Sequence, residues 1–242
     1  MAFRFLQFEV KDQQSTQRVG TDAMLLGSWA RPPENGRILD IGTGCGVLAL
    51  MMAQRSGADI DAIDIDPSSV EEAQANFLHS PWPLRMRAFF GDAGTLTVSE
   101  QEHYSFIITN PPWFSASLKS PSLRRNRARH DDLLPLPRLA EISSRLLAPG
   151  GTLALVLPSD EENRCLEIFR EQEYAPSRLL TVFPNPGKKS SRILLEFKRA
   201  PLAGPERSEL TIRGRDGKFT PGYLALTRDF HRFNSTFAET DL

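Results

Sequence analysis

From Arg37 onward, short apolar runs alternate with longer stretches in which apolar side chains recur every three or four positions. That is the rhythm of strands joined by helices on a parallel sheet. Arg37-Ile38-Leu39-Asp40-Ile41 reads as the first strand, residues 60–65 as the second, 85–90 and 104–109 as the third and fourth, and 152–157 as the fifth. Phe106, Ile107 and Ile108 are apolar on consecutive positions, the pattern of a central strand covered on both faces. Val47, Leu48, Leu50, Met51 and Ala53 give residues 47–55 one buried helical face. Asp66-Pro67-Ser68 opens another helix, with an acid at the cap and proline at the first helical position. Residues 131–147 and 159–172 read as two more helices, and Pro149-Gly150-Gly151 as the turn that ends the first of them. Residues 175–183 and 191–198 read as final strands, paired antiparallel across the turn-rich stretch 184–189.

The pattern extends to both ends. Phe3, Phe5 and Phe8 mark a short strand or arm, and residues 21–29 a helix. Residues 210–213 read as a small strand and 223–232 as a terminal helix. The expected organisation is one α/β domain over 1–242, with an N-terminal extension (1–36), a core (37–200) and a C-terminal decoration (201–242).

Composition narrows the choice of partner. A chain that is 40% hydrophobic and 24% charged suits a soluble fold. With 29 Lys+Arg against 30 Asp+Glu the net charge is -1, so nucleic acid must be met by a local basic patch, not a global field. No secretory leader and no apolar run long enough to span a membrane are visible, so a cytoplasmic protein without membrane partners is expected. Cys45 and Cys165 are far apart, fit free thiols, and provide no metal-spaced pair; no metal is expected.

Asp40-Ile41-Gly42-Thr43-Gly44-Cys45-Gly46 lies where a strand gives way to a helix. Glycines there allow close approach of a ligand, and the helix start offers unpaired N–H groups. The spacing is G-x-G-x-G behind an acid, not the G-x-G-x-x-G of a pyrophosphate cradle, and Asp40 suits an ammonium group better than a phosphate. Asp64, with Ile65 beside it, ends the next strand and is placed to accept ribose hydroxyls. Asp92, in Gly91-Asp92-Ala93, could accept from an adenine amino group. Three acids at three strand ends fit one nucleoside-like cofactor along the carboxyl edge of a sheet.

Asn110-Pro111-Pro112-Trp113 follows the fourth strand. The prolines fix φ and remove two donors, leaving carbonyls that only accept. An Asn oxygen beside such a carbonyl can take both hydrogens of a planar NH₂ group and aim its lone pair at a methyl sulfonium, with Trp113 stacked on the plane. No strong general base is then needed; orientation and electrostatics carry the transfer.

DIGTGCG, Asp64, GDA and NPPW together resemble the class I S-adenosylmethionine-dependent methyltransferases that carry an N-P-P-aromatic motif. The segments Arg18–Asp22, Leu25–Trp29, Ile212–Gly214 and Tyr223–Thr227 narrow the resemblance. They point to the bacterial family that methylates the exocyclic amino group of the adenine 3′ of the anticodon in valine tRNA. Trp113 stands where that family usually has tyrosine. The resemblance implies a Rossmann-like, seven-stranded, mostly parallel sheet of order 3-2-1-4-5-7-6 with strand seven antiparallel and helices on both faces. It also implies S-adenosylmethionine as cofactor and tRNA as partner. The cofactor set is then Asp40, Gly42, Thr43, Gly44, Gly46, Asp64, Ile65, Asp92, Ala93 and Asn110, with Thr21 near the methionine end. Thr21 and Asp22 read equally well as a cap for the helix they open.

Arg124, Arg125, Arg127 and Arg129 fall within six residues just after the NPPW motif and are candidates for phosphate contact; Lys188 and Lys189, with Arg192, form a second basic group. Phe114 and His130 could stack on unpaired bases. The motif itself sees an amine, so a ribosomal-RNA guanine, a DNA adenine or a protein glutamine amide remain alternative acceptors. A non-catalytic RNA-binding protein on this fold, or a nicotinamide oxidoreductase, is disfavoured by the intact glycine loop, Asp64 and Asn110, and by the glycine spacing.

Overall fold

A computed structural model describes residues 2–15, 18–99, 103–111, 134–199 and 204–231. A hairpin of β1 (Ala2–Arg4) and β2 (Glu9–Lys11) leads into α1 (Thr21–Trp29). The core then runs β3 (Arg37–Ile41), α2 (Val47–Arg55), β4 (Asp59–Asp64), α3 (Pro67–Leu78), β5 (Met86–Phe90) and β6 (Tyr104–Thr109). After α4 (Leu136–Leu146) come β7 (Leu147–Pro158), α5 (Glu162–Glu171), β8 (Ala175–Phe183), β9 (Arg192–Lys198), β10 (Glu206–Thr211) and α6 (Pro221–Thr227).

The sheet order is β10-β8-β9-β7-β6-β3-β4-β5, with β9 antiparallel to both neighbours and every other pairing parallel. The seven expected strands stand in the expected order; an eighth, β10, is added on the outer side of β8. Its first four residues are exposed and polar, so it shows no apolar alternation, and the strand expected at 210–213 sits four residues earlier. Successive side chains of the central strands point to opposite faces. Ile38, Ile60, Phe106 and Ile108 join a core with α1, α2, α3 and α6; Leu39, Ile107, Leu153 and Leu155 join another with α4 and α5.

Three local expectations change. The helix expected over 131–147 covers Leu136–Leu146: Pro135 is its extended N-cap, and Leu134 before it is not helical. Residues 131–133 lie outside the described residues. Pro149-Gly150-Gly151 is no turn between elements but an irregularity inside β7, where partners of β6 jump from Leu147 to Thr152 and Gly150 adopts φ 78°. The last helix ends at Thr227, short of the expected span. Asp66 caps α3 as expected, its carboxylate accepting from Ser69 N–H at 2.9 Å with Pro67 at the first helical position.

Candidate active site

Because β5, β4, β3 and β6 are adjacent and parallel, Asp92, Asp64, the glycine loop and Asn110 all emerge along one edge of the sheet. Local bonds set their positions. Thr109 is buried and donates its hydroxyl to Ile41 O at 2.8 Å, which fixes the end of β6 against the end of β3 and brings Asn110 beside Gly42. The amides of Gly42 and Thr43 donate to Ile63 O at 2.9 and 3.2 Å, tying the loop to β4. Asp64 is the hinge of the arrangement: Oδ2 accepts from Gly44 N–H at 2.8 Å and Oδ1 from Asp66 N–H at 2.9 Å. Gly91 N–H in turn donates to the Asp64 carbonyl at 3.0 Å.

Two glycines have distinct reasons to be glycine. Gly46 sits at φ 83°, and a Cβ there would lie 2.5 Å from the Phe77 ring, so it serves close packing of α2 on α3. Gly42 sits at φ 70° with nothing within 4 Å of the same position, leaving open space where a ligand can approach the backbone. Asp40 is fully buried; Oδ2 accepts from the Thr43 hydroxyl at 2.6 Å and Ala49 N–H at 3.2 Å, while Oδ1 has no partner among the described residues. Burial pushes its carboxyl up to about 7, with the nearby Asp64 adding to the rise. Burial also raises the Asp64 carboxyl, partly offset by the amides it accepts from.

The outer members are placed as follows. Asp92 caps the turn Ala93–Thr95, accepting from Gly94 N–H at 2.8 Å, and its other oxygen is held by Arg138 of α4. Ala93 is buried, while Ile65 keeps 41% exposure beside Asp64 and offers an apolar surface at the edge. Pro111 is buried behind Asn110. Thr21 begins α1, whose N-cap is Gly20 without a side-chain cap bond, so the capping alternative for Thr21 and Asp22 does not hold. Asp22 instead accepts from Arg192 Nε at 2.9 Å through both oxygens, which anchors the start of α1 at the carboxyl edge. That pair removes Arg192 from the basic group expected with Lys188 and Lys189, both of which are exposed. Pro112, Trp113, Phe114, Arg124, Arg125, Arg127, Arg129 and His130 lie outside the described residues.

A family model described as "Methyltransferase small domain" matches residues 14–174. A tRNA1(Val) (adenine(37)-N6)-methyltransferase of Parabacteroides distasonis is 41% identical over 229 residues, 95% of this chain and 97% of its own. Its namesake in Bacteroides fragilis is 38% identical over 95% and 97% of the two chains. The chain belongs to this methyltransferase family. Among solved structures, a predicted O-methyltransferase of Agrobacterium tumefaciens superposes with a TM-score of 0.67 at 20% identity, covering 86% of this chain and 96% of that one. The geranyl diphosphate C-methyltransferase of Streptomyces coelicolor, solved with S-adenosyl-L-homocysteine, gives 0.53 at 12% identity over 74% and 76%. At such identities the likeness establishes the class I methyltransferase fold.

The site of this family member fits S-adenosylmethionine: an orphaned acceptor on Asp40, open space over Gly42, and an exposed apolar side chain next to a carboxylate. Burial pushes the Cys45 thiol up to about 12, so it stays protonated beside the loop and offers no nucleophile. Among the described residues no group of His, Cys, Asp or Glu is arranged to hold a metal, and no helix is long and apolar enough to cross a membrane.

Sequence reading missed two polar residues, Glu72 and Asn76, on the buried face of α3. The buried Glu72 carboxylate accepts backbone N–H bonds from Gln13, Gln14 and Ser15 at 2.8–3.2 Å. Asn76 bonds both Lys11 N and O and also donates to Cys45 O at 2.8 Å, joining the N-terminal arm to the glycine loop. The available signal was a pair of polar residues on the apolar face of α3. Glu72→Ala should lower Tm by about 3–6 °C, as about 1–2 kcal/mol of charge-assisted bonding is lost and the amides turn to water. Faster hydrogen exchange at residues 13–15 should accompany the lower Tm; unaltered exchange there would contradict the assignment.

Proposed function

We propose that this chain transfers a methyl group from S-adenosylmethionine to the exocyclic amino nitrogen of an adenine in tRNA, at position 37 of tRNA1(Val). The observation that carries the reading is the pairing of near full-length identity to methyltransferases of that name with Asn110-Pro111 at the end of β6, beside the glycine loop. S-adenosylmethionine supplies an electrophilic methyl on a sulfonium, which an amine attacks in line. Asp64 receives the ribose hydroxyls and Asp40 holds the charge at the ammonium end. Ile65, Asp92 and Ala93 line the adenine end, and the loop beginning at Gly42 lets the backbone close in, with Gly46 seating it on α3. Asn110 and the adjoining prolyl carbonyl accept the two hydrogens of the target amine, and Trp113 stacks on its ring. The arginines at 124–129 neutralise phosphates around the entering nucleotide, and Lys188 and Lys189, on the turn between β8 and β9, meet phosphates farther along the RNA. The work of a tRNA-modifying enzyme lies in the cytoplasm. Residues 1–242 act as one domain, a reading supported by β10 completing the same sheet and α6 joining the α1–α2 core.

The test is incubation of purified protein and labelled S-adenosylmethionine with tRNA1(Val) transcript, followed by nucleoside mass spectrometry. N6-methyladenosine should form at position 37 and vanish in a transcript with guanosine there; methylation elsewhere, or none, overturns the substrate reading. For the cofactor, Asp64→Ala should weaken S-adenosylmethionine binding about 10–100-fold, since bonds to a charged acceptor are worth about 1.5–3 kcal/mol. Asp64→Asn keeps one acceptor oxygen and should lose less. Calorimetry showing an unchanged dissociation constant for the alanine variant would detach Asp64 from the cofactor.

A further inference from the structure

Two turns at the far end of the same sheet edge carry a group of basic side chains. The turn between β8 and β9 carries Lys188 and Lys189, and the turn after β10 carries Arg213, Arg215 and Lys218. Backbone bonds join the two turns: Ile212 N–H donates to Phe183 O at 2.9 Å and Arg213 N–H to Pro184 O at 3.1 Å. The second turn is held rigid from within. Gly214 N–H donates to Lys218 O at 2.8 Å, Arg213 donates to Gly217 O at 2.8 Å, and its guanidinium lies 4.3 Å from the Phe219 ring centroid. Asp216 turns back to accept from Lys218 N–H. Lys188, Lys189, Arg215 and Lys218 are left exposed, and none of the four is in an ion pair among the described residues. The exposed large apolar side chains lie elsewhere, at Leu6, Ile65, Leu78, Leu84 and Phe90. Four cations without an ion-pair partner among the described residues, on hydrogen-bonded turns in a chain of net charge -1, are suited to a polyanion and not to base reading.

Register places this rim relative to Asn110. Thr109 is level with Leu155, Leu155 with Leu195, Leu195 with Leu179, and Leu179 with Arg207. β8 ends at Phe183 and β10 at Thr211, so both continue past that level while β6 stops at Thr109. The rim therefore stands about 10 Å above Asn110, at about 3.3 Å per residue. β8 is three strands from β6 and β10 four, a lateral offset of about 14 to 19 Å at about 4.8 Å per strand. The straight-line separation is roughly 17–22 Å, or about five to six nucleotides stacked 3.4 Å apart.

We propose that these two turns form an RNA-contacting rim that grips backbone phosphates of a base-paired stem about five to six nucleotides from the adenine at Asn110. The inference rests on the reading of tRNA as substrate, and adds to it a measuring distance: the rim recognises the stem and leaves the loop to the site. The probe is a stem–loop RNA carrying the target adenine, compared with a stemless oligonucleotide of the same loop. In the quadruple variant K188A/K189A/R215A/K218A, folding is checked by S-adenosylmethionine calorimetry. The slope of log affinity against log salt for the stem–loop should fall by about 3, at about 0.7–0.9 per phosphate contact. KM for the stem–loop should rise, and the ratio of variant to wild-type KM should collapse toward one on the stemless RNA. An unaltered salt slope on an RNA that the wild type binds and methylates overturns the rim alone. Equal losses on stem–loop and stemless RNA overturn the distance. A wild type that neither binds nor methylates either RNA overturns the substrate reading, and the rim's partner with it; capture of an acidic protein by the rim in place of RNA would do the same.

Discussion

Replacing Asn110 with alanine lowers the single-turnover rate of tRNA methylation about 10²–10³-fold, the loss typical when one preorganised polar group is removed from a reacting centre. The fall is expected because the proposed mechanism meets the developing charge on the amine with this amide oxygen, at a point of the chain that the Thr109 hydroxyl ties to the end of β3. S-adenosylmethionine binding should largely survive, since Asp40, Asp64 and the loop are bonded to one another without Asn110. Affinity for tRNA should survive too, because phosphate contacts dominate it. Asn110→Asp keeps an oxygen acceptor at the same point and should recover part of the rate. A near-wild-type rate for the alanine variant would remove the mechanism, whereas loss of cofactor binding with an unaltered unfolding curve would assign Asn110 to the cofactor and not to the amine.

The parts of this site that were legible are those whose chemistry is local. A strand, a glycine loop and a helix leave a periodic trace, so Asp40, Gly42, Asp64 and Asn110 could be assigned to strand ends before any contact was known. Helix α3 announced itself through Asp66 and Pro67 for the same reason. Polar pairs formed across the chain leave no such trace. Asp22 and Arg192 are 170 residues apart, and Asp92 and Arg138 are 46 apart. Each reads in sequence as an ordinary cap or surface charge. Pro149-Gly150-Gly151 failed differently: its residues signal a turn, but the β6 pairing that absorbs them as an irregularity within β7 depends on register, which composition does not carry. β10 is an edge strand whose first four residues are all exposed and polar, so only its last two, Leu210 and Thr211, fall within the strand that the pattern predicts.

Asp40 gives the second large effect, and it appears as a dependence of stability on pH. The folded carboxyl titrates near 7 against 3.8 for the free side chain, because burial disfavours its charge. Between those values the folded protein holds a proton that the unfolded chain has released. Stability contributed by this group is therefore full below about pH 4 and is lost as pH rises through about 7. A difference of that size corresponds to about 4 kcal/mol. An asparagine amide in place of the Asp40 carboxyl would not titrate. Its oxygen can still accept from Thr43 and Ala49, while its NH₂ replaces an atom that has no partner among the described residues. Asp40→Asn should therefore gain stability over wild type progressively from pH 4 to 7 and level off above, by up to about 4 kcal/mol in urea unfolding of the cofactor-free protein. Cofactor binding should show the opposite preference. A cationic ammonium group favours the ionised carboxylate, so wild-type affinity for S-adenosylmethionine should rise between pH 6 and 8, and the asparagine variant should bind more weakly with a flatter profile. Unfolding curves that stay parallel for the two proteins from pH 5 to 8 would show that Asp40 is already ionised in the folded state. The ionised carboxylate would then have to be stabilised by a donor other than the Thr43 hydroxyl and the Ala49 amide, and it would offer its charge to the ammonium group across that whole range, so that no rise in affinity between pH 6 and 8 would be seen.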